Sequence, residues 1–378
     1  ADVIEDASDI DIVILDRMGS LYYLKTIKPN RSNLYLMDIN LLTDVEAAEF
    51  CSLIEESKHI VIFCHRNPDG DALGSSLGMA AYLKQKGKED VKVIVPDMFP
   101  NFLQWLPGAI DIMRYDKKKE EVEEAVKAAD LMFCLDFNDA SRTADLEPLI
   151  TGSEARKILV DHHLNPSVDA DVVVSHPEAC STCELVFRLI WQTGGFEEMD
   201  KAAAVPLYCG MMTDTGGFTY NSTRPEIFFI ISQLLTKGIN KDKIYRNVFN
   251  NYSLWRMRLL GYVMYAKLNV LGEFHAAYFT LTRRDLKHFH FMKGDAEGLV
   301  NMPLQIKGIK LSISLREDTE KPNTIWVSLR SVDDFPCNKL AEKYFNGGGH
   351  LNASGGHLNC TMDEAEMIVN KAIREFKW

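Results

Sequence analysis

The sequence predicts an α/β protein: a mostly parallel sheet with helices on both faces, followed by a smaller α/β unit. Three observations carry this. Between residues 44 and 249, short apolar runs alternate with segments whose apolar residues recur at helical spacing. Beyond about residue 252 that rhythm gives way to a different order of strands and helices. At 378 residues the chain has the length of about two domains.

Residues 44–57 place Val45, Phe50, Leu53 and Ile54 on one helical face. The continuous apolar run at 59–64 fits a strand covered on both faces. A helix is predicted at 72–86, a strand at 91–95, a charged helix at 117–129, and strands at 131–135 and 157–160. Helices are predicted at 181–193, 201–212, 225–236 and 241–249, the first opened by a capping box of Ser181 and Glu184. An amphipathic stretch at 252–267 precedes strands starting near 276, 309 and 324, a helix at 337–345, a glycine loop at 347–349 and a helix at 363–376. The expected divisions are an N-terminal extension over 1–41, a first domain over 42–254, a linker over 255–270 and a second domain over 271–378. Within the extension, two apolar runs predict a hairpin or an added strand.

Apolar residues make up 46% of the chain and charged residues 25%, which excludes disorder as the main state. Lys plus Arg is 42 against 54 Asp plus Glu, a net charge of -12, which argues against gripping long duplex nucleic acid. A short anionic ligand stays compatible where metal or positive charge is concentrated locally. The cysteines are dispersed, and only Cys180 and Cys183 have CxxC spacing, so a four-cysteine zinc site is not expected. No apolar run reaches the ~18 residues of a membrane span. The acidic start (Asp2, Glu5, Asp6, Asp9, Asp11) lacks a signal pattern. A cytoplasmic protein without membrane contact is the expectation.

Four strand ends are expected to carry the chemistry: His65-Arg-Asn-Pro-Asp69-Gly-Asp71, then Asp136, then Asp161-His162-His163, then Asp214 within Gly210-Met-Met-Thr-Asp214-Thr-Gly216. Any one of these carboxylates reads as a helix cap or turn former. Together they fall at the carboxyl ends of parallel strands, where such sheets bind ligands. So many carboxylates cannot share a site as bare anions, and divalent metal resolves the repulsion. Carboxylates with imidazoles and no thiolate suit manganese, iron, cobalt or zinc better than magnesium or calcium. The ligand count is enough for two metals sharing a carboxylate.

Taken in order, these four motifs match those of the DHH phosphoesterases. The run Gly347-Gly348-Gly349-His350-Leu351-Asn352-Ala353-Ser354-Gly355 resembles the signature of the DHH-associated C-terminal domain. The resemblance spans residues 42–378 and is nearest to the short two-domain members, which degrade very short oligoribonucleotides and dephosphorylate 3′-phosphoadenosine 5′-phosphate. It implies a hydrolase with two divalent metal ions, manganese foremost, with magnesium or cobalt as alternatives. One metal would be held by His65, Asp69 and Asp136, the other by Asp71, Asp136, His162 and Asp214. Asp161 would orient an imidazole by accepting its N–H. His163 would face the scissile phosphate or the leaving oxygen. A water activated by the two metals would attack phosphorus in line.

The resemblance also places the active site in the cleft between the domains. Gly347, Gly348 and Gly349 would present backbone N–H groups to a phosphate. His350 would contact the same phosphate, and Arg330 would make a two-pronged contact. The expected partners are dinucleotides, short oligonucleotides and nucleoside bisphosphates, with a homodimer as the expected assembly. Trp105, Trp255 and Trp326 are expected in packing rather than base stacking. The alternatives are pyrophosphate or polyphosphate as substrate, or a non-catalytic nucleotide sensor.

Overall fold

A computed structural model describes residues 12–15, 21–24 and 39–377, apart from 293 and 297. β1 (Ile12–Leu15) and β2 (Leu21–Leu24) pair antiparallel with each other, the first of the two arrangements expected there. The acidic run from Asp2 to Asp11 lies outside the described residues.

The first sheet is built by alternation. α1 (Asp44–Glu56) is capped by Thr43, and Glu46 answers with its carboxylate on the Thr43 N–H. β3 (His59–Phe63), α2 (Gly70–Gln85), β4 (Asp90–Val95), β5 (Met113–Arg114), α3 (Lys119–Ala128), β6 (Leu131–Leu135), α4 (Glu147–Thr151), β7 (Arg156–Asp161) and β8 (Val172–Ser175) follow. The six strands β3 to β8 are all parallel, in the order β5-β4-β3-β6-β7-β8. The chain works outward from β3 in one direction, returns, and works outward from β6 in the other. The reversal falls between β3 and β6, where parallel sheets open a ligand crevice. Ile60, Ile62, Phe133, Leu135 and Val160 point to one face, while Val61, Phe63, Met132, Cys134 and Leu159 point to the other, under α3 and α4.

The first face is covered by α2 with α5 (Thr182–Gln192), α6 (Lys201–Asp214), α7 (Pro225–Thr236) and α8 (Lys241–Phe249). α2 and α6 cross with their backbones close. A Cβ on Gly74 would lie 2.6 Å from the Pro206 carbonyl oxygen, and one on Gly210 would run into Cys183 Sγ. Only bare glycines allow this approach. It brings Asp71, in the first turn of α2, beside Asp214, the last residue of α6. The helix expected over 201–212 runs on to Asp214, so this carboxylate comes from a helix end and not from a strand end.

α5 opens at Ser181, whose hydroxyl accepts from the Glu184 N–H. The other half of the expected capping box is replaced. The fully buried Glu184 carboxylate accepts from the Cys180 N–H at 2.8 Å and pairs with Arg188 at 3.3 Å and Arg224 at 2.6 Å. Arg188 also donates to the carbonyl oxygens of Ile39 and Asn40. One carboxylate thus joins the segment leading into α1, the start of α5 and the start of α7.

α9 (Leu254–Tyr262) runs into a π-helical turn over Val263–Lys267. Its Leu259 and Val263 pack with Phe279, Leu281 and Leu286, so much of the stretch expected as a linker is helix seated on the second sheet. That sheet contains β9 (Asn269–Leu271), β10 (Ala276–Leu281), β11 (Leu311–Glu317), β12 (Ile325–Ser331), β13 (Gly348–His350) and β14 (Ala353–Leu358), ordered β13-β14-β12-β11-β10-β9. Only β10 and β11 pair in parallel. α10 (Arg283–His288) follows β10, while α11 (Cys337–Tyr344) and α12 (Met362–Glu375) cover Ile313, Leu315, Val327 and Leu329. From Gly348 on, the glycine run expected as a loop is edge strand β13, with Gly348 opposite Gly355 and His350 opposite Ala353. Its backbone lies against that of β14: a Cβ on Gly347 would overlap the Gly355 carbonyl oxygen. No described helix is long and apolar enough to cross a membrane.

Candidate metal centre

Each candidate ligand sits where a strand or helix stops. Just beyond β3, buried His65 points Nε2 at Asp136 Oδ2, 3.3 Å away, and at Asp69 Oδ2, 3.8 Å away. Its Nδ1 lies 2.8 Å from the Arg66 carbonyl oxygen, so Nδ1 carries the proton and Nε2 is the ligating atom. Asp69 caps α2 through Oδ1, which accepts from the Asp71 and Ala72 N–H groups, and keeps Oδ2 for the site. Asp136 follows β6 in left-handed backbone, φ 65°. Just beyond β7, His162 Nε2 lies 3.8 Å from Asp71, 3.6 Å from Asp136 and 3.5 Å from Asp214.

Asp161 is fully buried at the end of β7. Its Oδ1 accepts from His163 Nδ1 at 2.7 Å and its Oδ2 from the His163 backbone N–H at 3.0 Å. The imidazole it orients is therefore that of His163, whose Nε2 is left for the cleft.

The motif residues form three adjoining groups of ligand atoms, each within 4.8 Å: His65–Asp69–Asp136, Asp71–His162–Asp214 and Asp136–His162–His163. Asp136 and His162 each belong to two of them. Burial, and then the Asp136 charge, pushes the Asp71 carboxyl up to about 7. Burial, with Asp71, Asp69 and Asp136 nearby, pushes Asp214 well up. Burial acts the same way on Asp136, but the hydrogen bond and charge of His65, with His163 and His162, outweigh it and hold Asp136 below the usual carboxylate range. Carboxylates crowded in this way favour a cation among them. Burial also pushes the neighbouring Cys64 and Cys183 thiols well up, which leaves an oxygen and imidazole donor set. That set fits divalent cations.

The second sheet reaches the same place. The His350 ring lies 5.3 Å from that of His163 and 6.5 Å from that of His162. Burial, assisted by His163 and His162, holds His350 down, to about 4, so it faces the cluster as a neutral imidazole. Arg330 lies opposite Ala353, which lies opposite His350. Its guanidinium donates to the Leu329 carbonyl oxygen, and no carboxylate pairs with it among the described residues. The three glycines are not equivalent: Gly348 shares the face of His350, Gly349 points the other way, and Gly347 backs onto Gly355.

Sequence reading assigned no chemistry to the start of α5. There the Thr182 hydroxyl donates to Asp136 Oδ1 at 2.9 Å, while the Thr182 and Cys183 N–H groups donate to Asp71 at 2.6 and 2.9 Å. A helix N-terminus suits a carboxylate. These contacts join residues 46, 111 and 112 positions apart, so no local pattern announces them. Thr182→Val is expected to weaken divalent-metal binding by roughly 10–100-fold, and Thr182→Ser to restore it. Titrating metal into metal-free protein reads this without turnover.

Residues 59–211 match the model of the DHH family, N-terminal domain, and residues 273–377 that of the DHHA1 domain. The chain is 31% identical over 318 residues to the bifunctional oligoribonuclease and PAP phosphatase NrnA of Thermus thermophilus, covering 84% of this chain and 89% of that one. It is 27% identical to the protein of the same name from Bacillus subtilis, covering 82% and 92%. Among solved structures, an exopolyphosphatase-related protein from Bacteroides fragilis superposes with a TM-score of 0.85 at 48% identity, covering 88% and 98%. The fold, the acid and imidazole cluster and these likenesses define a metal-dependent phosphoesterase. The chain belongs to the DHH family, and carries the DHHA1 domain in its second half.

Proposed function

We propose that this protein hydrolyses dinucleotides, short oligonucleotides and 3′-phosphoadenosine 5′-phosphate in the cleft between its two sheets. The observation that carries this is the meeting of the three ligand groups with His350 of the second sheet, 5.3 Å from His163. The names of the NrnA relatives point to the same substrates.

His65, Asp69 and Asp136 would hold one divalent cation, and Asp71, Asp136, His162 and Asp214 a second. Bound there, such ions supply charge neutralisation at the phosphoryl oxygens and a water acidic enough to yield hydroxide near neutral pH. The protein's share is positional. Thr182 and the first amides of α5 hold Asp136 and Asp71 in place. Asp161 keeps the proton on His163 Nδ1, so Nε2 is the atom that holds or delivers a proton at the leaving oxygen. His350 donates a ring N–H to a phosphoryl oxygen, and Arg330 neutralises charge further along the substrate.

The test is a turnover panel with manganese: 3′-phosphoadenosine 5′-phosphate, dinucleotides, oligoribonucleotides of increasing length, inorganic pyrophosphate and polyphosphate. Turnover of the first two, falling as length increases, is expected. Inertness toward both would reject the proposal. The name of the Bacteroides fragilis relative favours polyphosphate as the second reading, and turnover confined to the inorganic substrates would establish it.

A further inference from the structure

The second sheet has one apolar face, turned to α11 and α12; on the other, Phe279 and Leu281 of β10 lie under α9, while β12, β14 and β13 present residues of a different character. Strand register sorts that other face into rows. The first row is His350, Ala353 and Arg330. The second is Gly348, Gly355 and Ser328. The third is His357 and Trp326. The first row starts at the ligand cluster, because His350 lies against His163. The third lies four residues along β12 from Arg330, roughly 14 Å away at the rise of a strand.

The glycines of the middle row have no packing role inside the chain. A Cβ on Gly355 would find only the Val327 carbonyl oxygen, at 3.5 Å, and one on Gly348 only Glu342 Cγ, at 4.0 Å. Gly356, on the opposite face, is different: its Cβ would collide with the Phe345 carbonyl oxygen. Glycine weakens a strand, and where neighbours do not require it, it marks a close approach from outside.

Polar groups at the head of the strip are also under-satisfied: the Arg330 guanidinium donates to the Leu329 carbonyl oxygen. Among the described residues no carboxylate pairs with half-buried Arg330. Across from it, Ser312 is fully buried, and its hydroxyl has no hydrogen-bond partner. Such groups are rare in folded proteins. At the far end, Trp326 is 42% exposed, contrary to the expectation of packing. Its indole N–H donates to Asp318 at 2.7 Å and its ring lies 6.2 Å from that of His357, so the ring is fixed in place yet open to solvent.

We propose that Trp326 and His357 form the outer end of a track for a short single strand of nucleotides along this face, a stacking platform for the base farthest from the metal centre. Arg330, half-buried and on the same row as His350, takes the phosphate next to the scissile one. The floor at Gly348 and Gly355 passes the sugar. Trp326 with His357 stacks the outermost base, as aromatic platforms do for single strands. The track rests on the phosphoesterase reading and lets the site distinguish a strand of a few nucleotides from a bisphosphate.

The test compares steady-state turnover of a 5′-phosphorylated trinucleotide and of 3′-phosphoadenosine 5′-phosphate by manganese-loaded wild type, Trp326→Ala and Gly355→Val. Loss of one stacking platform costs roughly ten-fold or more in affinity. The trinucleotide KM is expected to rise by about that factor in each variant, and the preference for trinucleotide over bisphosphate to fall with it. Trp326→Leu and Gly355→Ala replace any variant whose thermal melt shows that it has not folded. An unchanged preference in folded variants overturns the track and leaves the phosphoesterase reading standing. Wild type inert toward both substrates overturns the two together.

Discussion

Asp136→Asn is expected to abolish turnover of every substrate that the wild type hydrolyses, and to empty both ligand groups of metal at once. Asp136 Oδ2 lies 3.3 Å from His65 Nε2 and its Oδ1 3.6 Å from His162 Nε2, so it faces both proposed cation positions and its loss is not expected to be confined to one. Asparagine is the informative replacement. Asp136 has φ 65°, a left-handed conformation that asparagine tolerates and most residues resist. Its amide oxygen can still accept from Thr182. The fold is therefore kept while the charge is removed. The loss should exceed the roughly 10–100-fold seen when a residue that only supports a ligand is changed. Kinetics beside elemental analysis of bound manganese checks this. A variant that keeps either near-normal rate or a full complement of metal would reject the proposed bridging role of Asp136.

Glu184→Ala is expected to cost the fold about 3–5 kcal/mol, the usual penalty for breaking a buried ion pair from one side. The change strands Arg188, which is almost wholly buried, and frees Arg224 and the Cys180 N–H. The same helix start carries Thr182 and Cys183, so metal affinity should fall with stability. Denaturant unfolding of metal-free protein isolates the first effect, and metal titration the second. Glu184→Gln keeps an acceptor for Cys180 but not the charge, and should fall between. A loss below about 1 kcal/mol in Glu184→Ala would mean that the cluster relaxes or hydrates and is not a structural joint.

Much of this was legible in the chain itself, for particular reasons. β3, β6 and β7 are continuous apolar runs because helices cover both of their faces, and each run stops at a residue with chemistry. β8 was missed because it has only four residues, alternately buried and open, and β5 because it has two. Asp214 was assigned to the right cluster but the wrong element, since α6 is apolar on all sides and its end is hard to place. The glycine run read as a loop because glycine usually breaks a strand, whereas here close backbone pairing recruits it. The contacts of Thr182 and Glu184 could not have been read, since each depends on a neighbour brought near only by the fold. Trp326 was misjudged for the opposite reason: a large apolar ring in a strand usually faces a core, and this one does not.

The crossing of the sheet between β3 and β6 has a consequence for how the molecule is made. The residues proposed to hold metal come from positions 65–71, 136, 162 and 214, and they meet only once β3, β6, β7 and α6 have docked. No early intermediate can bind cations as the finished protein does, so metal should act on the unfolding rate far more than on the folding rate. Synthesis runs from the N-terminus, and domains tend to fold as they emerge. The cation cage can therefore close while the strand bearing His350 has yet to be translated. Capture of metal and competence to cleave would thus be separated in time, with the proposed centre gaining its last wall only once β13 has been made.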